Sequence, residues 1–233
     1  MKLAGSALLS LLLAACGGTR AAEEPVPIPR QLQVGFLIVD GVYNTELIAP
    51  YDVFQHTAFH VRPGMKVFTV APSLEPVRTF EGLRIQPDYT LVSAPPIDVL
   101  VVPSAEHSMD SDLENAPLIE WVRNTGRRAQ YVFSLCDGAF VLAQAGLLQG
   151  RAATTFPSDI PRFRELFSPG VDCRDDVSFV HDGALLTSVG GARSYDAALY
   201  LTEILYGEKA AQGIGRGLVI DWDADAVSHS VVR

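Results

Sequence analysis

The chain has 233 residues, 48% of them apolar, with 18 Lys and Arg against 27 Asp and Glu for a formal charge of −9. That much apolar side chain builds the core of one domain of ordinary to large size and argues against an intrinsically disordered chain. The acidic balance, a pI near 5.0 and the lack of any basic run argue against a nucleic-acid partner, because binding phosphate backbones needs clustered cations.

In chain order, residues 1–15 read as an export signal. Lys2 supplies the charged start, residues 8–13 the apolar stretch, and Ala14-Ala15 the small residues before a cut. The stretch is too short to span a bilayer. Leu13-Ala14-Ala15-Cys16 resembles the lipobox of bacterial lipoproteins, which implies that Cys16 is acylated and becomes the new N-terminus. Residues 16–31, rich in Gly, Ala, Glu and Pro, hold too few large apolar groups to bury and are expected to form a flexible tether. The expectation is a domain over 32–233, lipid-anchored in a bacterial cell envelope and facing the periplasm or the cell exterior.

Residues 34–39 are a continuous apolar run bounded by Asp40-Gly41, the pattern of a strand buried on both faces. A helix is expected over 45–59, with Asn44 or Thr45 as its cap and Pro50 as a local irregularity. Residues 66–71 form the second strand, and 77–85, with Glu81-Gly82 between β-favouring residues, read as a hairpin or edge excursion. Residues 98–102 form another buried strand, ended by Pro103-Ser104, and Pro117 opens a helix over 117–126. The next strand is 129–134, and a helix over 138–145 closes at Gly146. A short strand at 152–155 and a helix at 158–167 capped by Ser158 follow. A hairpin about Asp182-Gly183 spans 177–188, and a long helix over 195–206 stops at Gly207. Strands alternating with helices predict one α/β domain, a doubly wound mostly parallel sheet with helices on both faces.

Sites in such sheets lie outside the carboxyl ends of the strands. That singles out the loops 40–46 and 103–110 and the turn Ser134-Leu135-Cys136-Asp137-Gly138. A cysteine between a buried strand and a helix start sits where helix amides and the helix dipole favour thiolate over thiol. On composition alone the competing reading is inert core filling, since free cysteine is a commonly buried residue. Cys136 and Cys173 are not expected to pair, because one follows an apolar strand and the other lies in the polar loop 171–175.

Ser134-Leu135-Cys136-Asp137-Gly138-Ala139-Phe140 and its continuation to Thr154-Thr155 resemble the nucleophile-elbow segment of the DJ-1/PfpI family, within the class I glutamine amidotransferase-like superfamily. The resemblance covers about 34–205, and its flavour is that of isonitrile-hydratase-like proteins and the amidase-like domains of some transcription regulators. Residues 98–103 resemble the strand before the family's oxyanion loop. Asp182-Gly183 with Gly190-Gly191 resembles its late hairpin, and Asp196-Ala197-Ala198-Leu199 its following helix. The resemblance implies a flavodoxin-like fold, Cys136 as nucleophile, and Glu46 as an acidic neighbour that hydrogen-bonds sulfur or moves a proton. Without the resemblance, Glu46 would only complement a helix N-terminus. An oxyanion and substrate-binding set is expected around Cys136 at Ser104, Ala105, Asp137, Gly138, His107, Thr155 and Phe156.

The chain departs from the family pattern at three places. Ser104-Ala105 stands where relatives often have Gly-Gly, and Asp137 and Phe156 stand where many carry histidines, which removes the obvious general base. His107 is the remaining candidate base, with a solvated loop histidine as its competing reading. His56 and His60 are placed on a helix surface and its end, His181 in the hairpin and His229 in a tail. Asp137 is suited to orient substrate or water, yet its charge opposes thiolate formation. No spacing suits a metal or a phosphate loop, so no metal and no cofactor are expected. The expectation is a cysteine-dependent enzyme acting on a small electrophile by covalent addition to Cys136, in a hydratase, amidohydrolase or glyoxalase-like reaction. The alternative is a non-catalytic, envelope-tethered ligand-binding or redox-sensing module. Expected partners are a small-molecule substrate or ligand, the membrane through the lipid anchor and, as the resemblance implies, a second copy in a homodimer.

Overall fold

The computed structural model describes residues 30–232. The expected export signal, the acylated Cys16 and residues 16–29 of the tether lie outside the described residues. The last two tether positions are held against the domain: Arg30 donates twice to Asp98, both at 2.6 Å, and the Gln31 amide donates to the Gly64 carbonyl at 3.0 Å.

The first half of the domain runs β1 (Gln33–Leu37), α1 (Asn44–His60), β2 (Lys66–Ala71), the antiparallel pair β3 (Val77–Arg78) and β4 (Arg84–Ile85), β5 (Tyr89–Thr90) and β6 (Val99–Val102). It continues with α2 (Ser111–Glu114), α3 (Ala116–Gly126), β7 (Tyr131–Leu135), α4 (Gly138–Gln144), β8 (Arg151–Ala153), α5 (Ile160–Phe167) and β9 (Val171–Cys173). The chain then forms β10 (Phe179–Asp182), β11 (Leu185–Ser188), α6 (Ser194–Tyr206), α7 (Glu208–Gly217) and β12 (His229–Val232). Eight strands make the main sheet in the order β12-β10-β11-β7-β6-β1-β2-β5. All neighbours are parallel except the hairpin β10–β11.

The period-2 geometry of a strand divides its side chains between two cores. Val99 and Val101 of β6, with Phe36 and Phe133, pack under α1, α6 and α7, while Leu100 and Val102 pack under α3, α4 and α5. Both sets are almost wholly buried, each large side chain contributing roughly 1.5–3 kcal/mol. Phe54 of α1 bridges Phe36 and Phe133 at ring-centroid distances of 6.2 and 6.3 Å, which fixes α1 across β1 and β7. The start of α1 is thereby brought over the end of β7.

Several sequence expectations require correction. Neither Asn44 nor Thr45 caps α1: Tyr43 occupies the cap position and makes no side-chain cap bond. Ser158 lies inside a short 3-10 turn, Pro157–Asp159, and does not cap α5. The strand expected over 152–155 ends at Ala153, because the Thr154 amide turns to Thr187 Oγ1 at 2.9 Å and Thr155 turns toward Cys136. The polar loop expected at 171–175 begins as β9, paired with β8, with Val171 buried and Cys173 half-buried. Gly207, at φ +86°, ends α6 but opens α7 at once, burying Ala211 and Ile214. The tail expected at His229 is β12, whose imidazole stacks on Phe179 at 4.8 Å. Cys136 and Cys173 are separate free thiols, and no helix among the described residues is long and apolar enough to cross a membrane.

Candidate active site

Strands β1, β6 and β7 are adjacent and parallel, so their carboxyl ends deliver three loops to one place. The first two loops are stitched together: the Tyr43 amide donates to the Ser104 carbonyl at 3.0 Å, the Glu106 amide to the Gly41 carbonyl at 3.0 Å, and Val42 bridges Ala105. The third is the turn from β7 into α4, where Cys136 holds φ at +53°. A non-glycine residue in that left-handed region costs on the order of 1–2 kcal/mol and persists only where the surroundings over-determine it. Here they do. The Cys136 amide donates to the Ser188 carbonyl at 2.9 Å, and its carbonyl accepts from the Ala139 amide at 3.3 Å and from Thr155 Oγ1 at 3.1 Å.

Two glycines make the elbow sterically possible. A Cβ on Gly138 would stand 2.0 Å from the Val102 carbonyl oxygen, so α4 can start against the end of β6 only without a side chain. A Cβ on Gly190, at φ +82°, would stand 2.5 Å from Cys136 Cβ. The loop after β11 therefore packs directly on the cysteine. The neighbouring Gly191 amide donates to Glu46 Oε1 at 2.9 Å. That bond fixes the buried Glu46 carboxylate, on the first turn of α1, close enough to the thiol to act on it through charge.

The expectation of a lowered thiol pKa is overturned. Burial pushes the Cys136 thiol up from its ordinary value, and the Asp137 and Glu46 carboxylates push it further. The Ser104 hydroxyl and the Asp137 amide offset only part of this. Ser104 Oγ is buried without a hydrogen-bond partner of normal geometry, so its influence is the weaker one of a hydroxyl facing sulfur. The seven-residue α4 supplies a helix N-terminus, but two anions and a dry setting outweigh it.

Asp137 is itself perturbed. The thiol donates to its Oδ2 at 3.6 Å, and Thr155 Oγ1 lies 3.0 Å from its Oδ1. Burial, then the nearby Asp159 carboxylate, raise its pKa from 3.8 to about 6, with the hydrogen bonds from Thr155 and Cys136 offsetting part. The folded chain holds this proton more tightly than the unfolded chain. Stability from this group is thus full at low pH and lost as pH rises from about 4 to about 6.

The remaining expected residues divide. Thr155 is buried against Cys136 and Asp137, whereas Phe156 is 40% exposed at the head of the turn that carries Asp159. The Ala105 amide, expected to face an oxyanion, donates instead to Ser108 Oγ at 2.9 Å. His107, expected to face Cys136, turns to Asp110 at 3.1 Å with its side chain 53% exposed, and the strongest influences on the thiol include no histidine. His56 pairs with Asp52 on α1, and His181 bonds Tyr200 and the Gly183 carbonyl.

Sequence reasoning missed Tyr43 and Asp159. The Tyr43 phenol is pushed up by burial and by the ionisable groups Cys136, Asp137, Glu106 and Glu46 around it, and its ring packs on Phe80 at 4.7 Å. Neither residue carries a local motif, so nothing in the sequence marked it. Gly190-Gly191 was visible as a motif, but not its contact with Cys136. Among the described residues no group of three or more His, Cys, Asp or Glu could hold a metal ion.

The profile of the DJ-1/PfpI family matches residues 32–204. An isonitrile hydratase of Pseudomonas putida is 34% identical over 183 residues, spanning 78% of this chain and 75% of that protein. The glutathione-independent glyoxalase DJR-1.2 of Caenorhabditis elegans is 25% identical over 163 residues, 69% of this chain and 84% of the relative. The crystal structure of Drosophila melanogaster DJ-1beta aligns with a TM-score of 0.72 at 24% identity, covering 83% of this chain and all of that one. The matched segment takes in the elbow, the loop after β6 and the start of α1 alike, and this chain belongs to the DJ-1/PfpI family.

Proposed function

We propose that the chain is a cysteine-dependent enzyme that adds Cys136 to the electrophilic carbon of a small substrate, hydratase-like in its chemistry. The observation that carries this reading is the Cys136 elbow, held at φ +53° with its thiol donating to the Asp137 carboxyl group and the buried Glu46 carboxyl close enough to act on it through charge. Backbone strain of this kind is concentrated at functional sites. The relatives named isonitrile hydratase and glyoxalase make a small electrophile the natural substrate class, and of the two the more similar favours hydration of an isonitrile to a formamide.

In this reading Glu46, fixed by the Gly191 amide, assists proton transfer at the adduct, and the Asp137 amide faces developing negative charge. Redox sensing fits less well, because sensor cysteines have lowered pKa values and open access, whereas this thiol is 7% exposed and pushed up. Conversion of a simple alkyl isonitrile to its formamide by the purified chain tests the reaction. Glu46→Gln, which keeps an acceptor for the Gly191 amide, is expected to lower kcat/KM about 10²–10⁴-fold with little change in Tm. Failure of the wild-type chain to turn over isonitriles, amides and dicarbonyls would refute the enzymatic reading.

The same proposal includes a lipid anchor at Cys16, supported by the run Leu13-Ala14-Ala15-Cys16 and placing the domain at an envelope membrane. Cys16→Ser is expected to release the chain from the membrane fraction; retention there would contradict the anchor.

A further inference from the structure

We propose that Asp137, positioned by Thr155 and coupled to solvent through Asp159, is the base that takes the Cys136 proton and the acid that returns it. This rests on the covalent reading above and supplies the base left open when the family's histidine positions are occupied by Asp137 and Phe156. The geometry starts from a hydroxyl with one proton and two acceptors. Thr155 Oγ1 lies 3.1 Å from the Cys136 carbonyl oxygen and 3.0 Å from Asp137 Oδ1. With Asp137 ionised, the Thr155 proton belongs on Oδ1; with Asp137 neutral, it swings to the Cys136 carbonyl. The hydroxyl thus favours the carboxylate that accepts the thiol proton, and keeps its own hydrogen bond satisfied at the Cys136 carbonyl once the carboxyl is neutral.

The second oxygen of that carboxyl, Oδ2, already accepts the thiol S–H at 3.6 Å. Asp137 is 7% exposed, while Asp159, in the turn Pro157–Asp159, is only partly buried and stands close enough to Asp137 to raise its pKa. Two interacting carboxyl groups titrate as a coupled pair, so the more exposed Asp159 offers the buried group its route to water. The other titratable groups that act on this cluster are Tyr43 at the cap of α1 and Glu46 in its first turn. A base titrating near 6 matches an operating pH above it.

With an isonitrile, the sulfur lone pair forms the C–S bond as the S–H bond breaks, the proton passing to Asp137 Oδ2 and then to the electron pair on the former isonitrile carbon. The product is a thioimidate. Water adds across its C=N bond, one water proton reaching nitrogen through Asp137. The tetrahedral adduct then collapses: the C–S bond breaks, the hydroxyl becomes the formamide carbonyl, and its proton returns through Asp137 to sulfur.

The test uses the full chain, an alkyl isonitrile as substrate and iodoacetamide as a probe of the thiol. Wild-type kcat/KM is expected to rise with pH through a limb near 6. Asp137→Asn should abolish that limb and lower kcat/KM about 10²–10⁴-fold, while alkylation of Cys136 becomes faster because a negative charge beside it is gone. A carboxylate that only burdens the thiolate would instead raise kcat/KM together with alkylation, and that result overturns the proposal. Asp159→Asn should move the limb to lower pH and Thr155→Val to higher pH, since the first removes a like charge and the second a hydrogen bond to the carboxylate. An unmoved limb in both variants overturns it as well, even if Asp137→Asn folds poorly. Turnover surviving in Cys136→Ala would reject the covalent reading itself, whereas an inactive Cys136→Ala beside a fully active Asp137→Asn would reject only the base.

Discussion

Cys136→Ala is expected to lower turnover by at least about 10⁴-fold, because in the proposed covalent mechanism Cys136 is the nucleophile, and its loss from residues that act as a unit removes nearly all of their joint effect. The fold should be unaffected. Alanine meets the same left-handed backbone penalty as cysteine at φ +53°, and the amide and carbonyl bonds to Ser188, Ala139 and Thr155 do not involve the side chain. Loss of one buried sulfur is expected to change stability by no more than about 1–2 kcal/mol. Cys136→Gly should relieve the backbone strain and gain up to about 1 kcal/mol while remaining inactive, which separates strain from chemistry at one position. Thermal denaturation alongside isonitrile turnover measures both quantities. An alanine variant with more than a few per cent of wild-type activity would remove Cys136 from the mechanism.

The second large effect is expected at Gly138→Ala. Its Cβ would stand 2.0 Å from the Val102 carbonyl oxygen, and neither partner is a flexible side chain. The start of α4 must move away from β6, which should cost about 3 kcal/mol or more, the upper end for an overpacked site. The same movement displaces the Asp137 amide and Cys136. Displacements of an ångström at a reacting centre cost about 10²-fold in rate, so activity should fall well beyond what the stability loss explains. Gly146→Ala is the matched control. It shares a positive φ, +74°, but nothing lies within 4 Å of its Cβ, and only the backbone penalty of about 1 kcal/mol should be seen, with activity retained. Equal losses at both positions would show that the close approach to Val102 is not what matters.

The parallel sheet was legible because its strands are buried on both faces, and runs such as Val99–Val102 have no competing helical period. The elbow was legible for a related reason: a buried strand, a cysteine and a glycine in five residues leave few alternative geometries. What stayed hidden depends on distance in sequence. The Gly191 amide reaches Glu46 across 145 positions, and no local pattern marks such a bond. Thr155 and Asp159 follow a strand that stops early because Thr154 is drawn to Thr187, a tertiary effect invisible in the local β propensity. The direction of the thiol's pKa was misjudged for the same reason. Helix position was readable from the sequence, whereas burial and two converging carboxylates were not. The strand at His229 was missed because it is short, polar in part and stabilised by pairing with β10 and stacking on Phe179.

The proposed chemistry requires a covalent bond between Cys136 and substrate. The most direct measurement is mass spectrometry of the full chain quenched in acid during turnover of an isonitrile, followed by peptide mapping. A mass increase equal to one substrate molecule is expected, confined to the peptide carrying Cys136 and present in Glu46→Gln but absent from Cys136→Ala. Steady turnover with no adduct at Cys136, or an adduct at Cys173 alone, would contradict it.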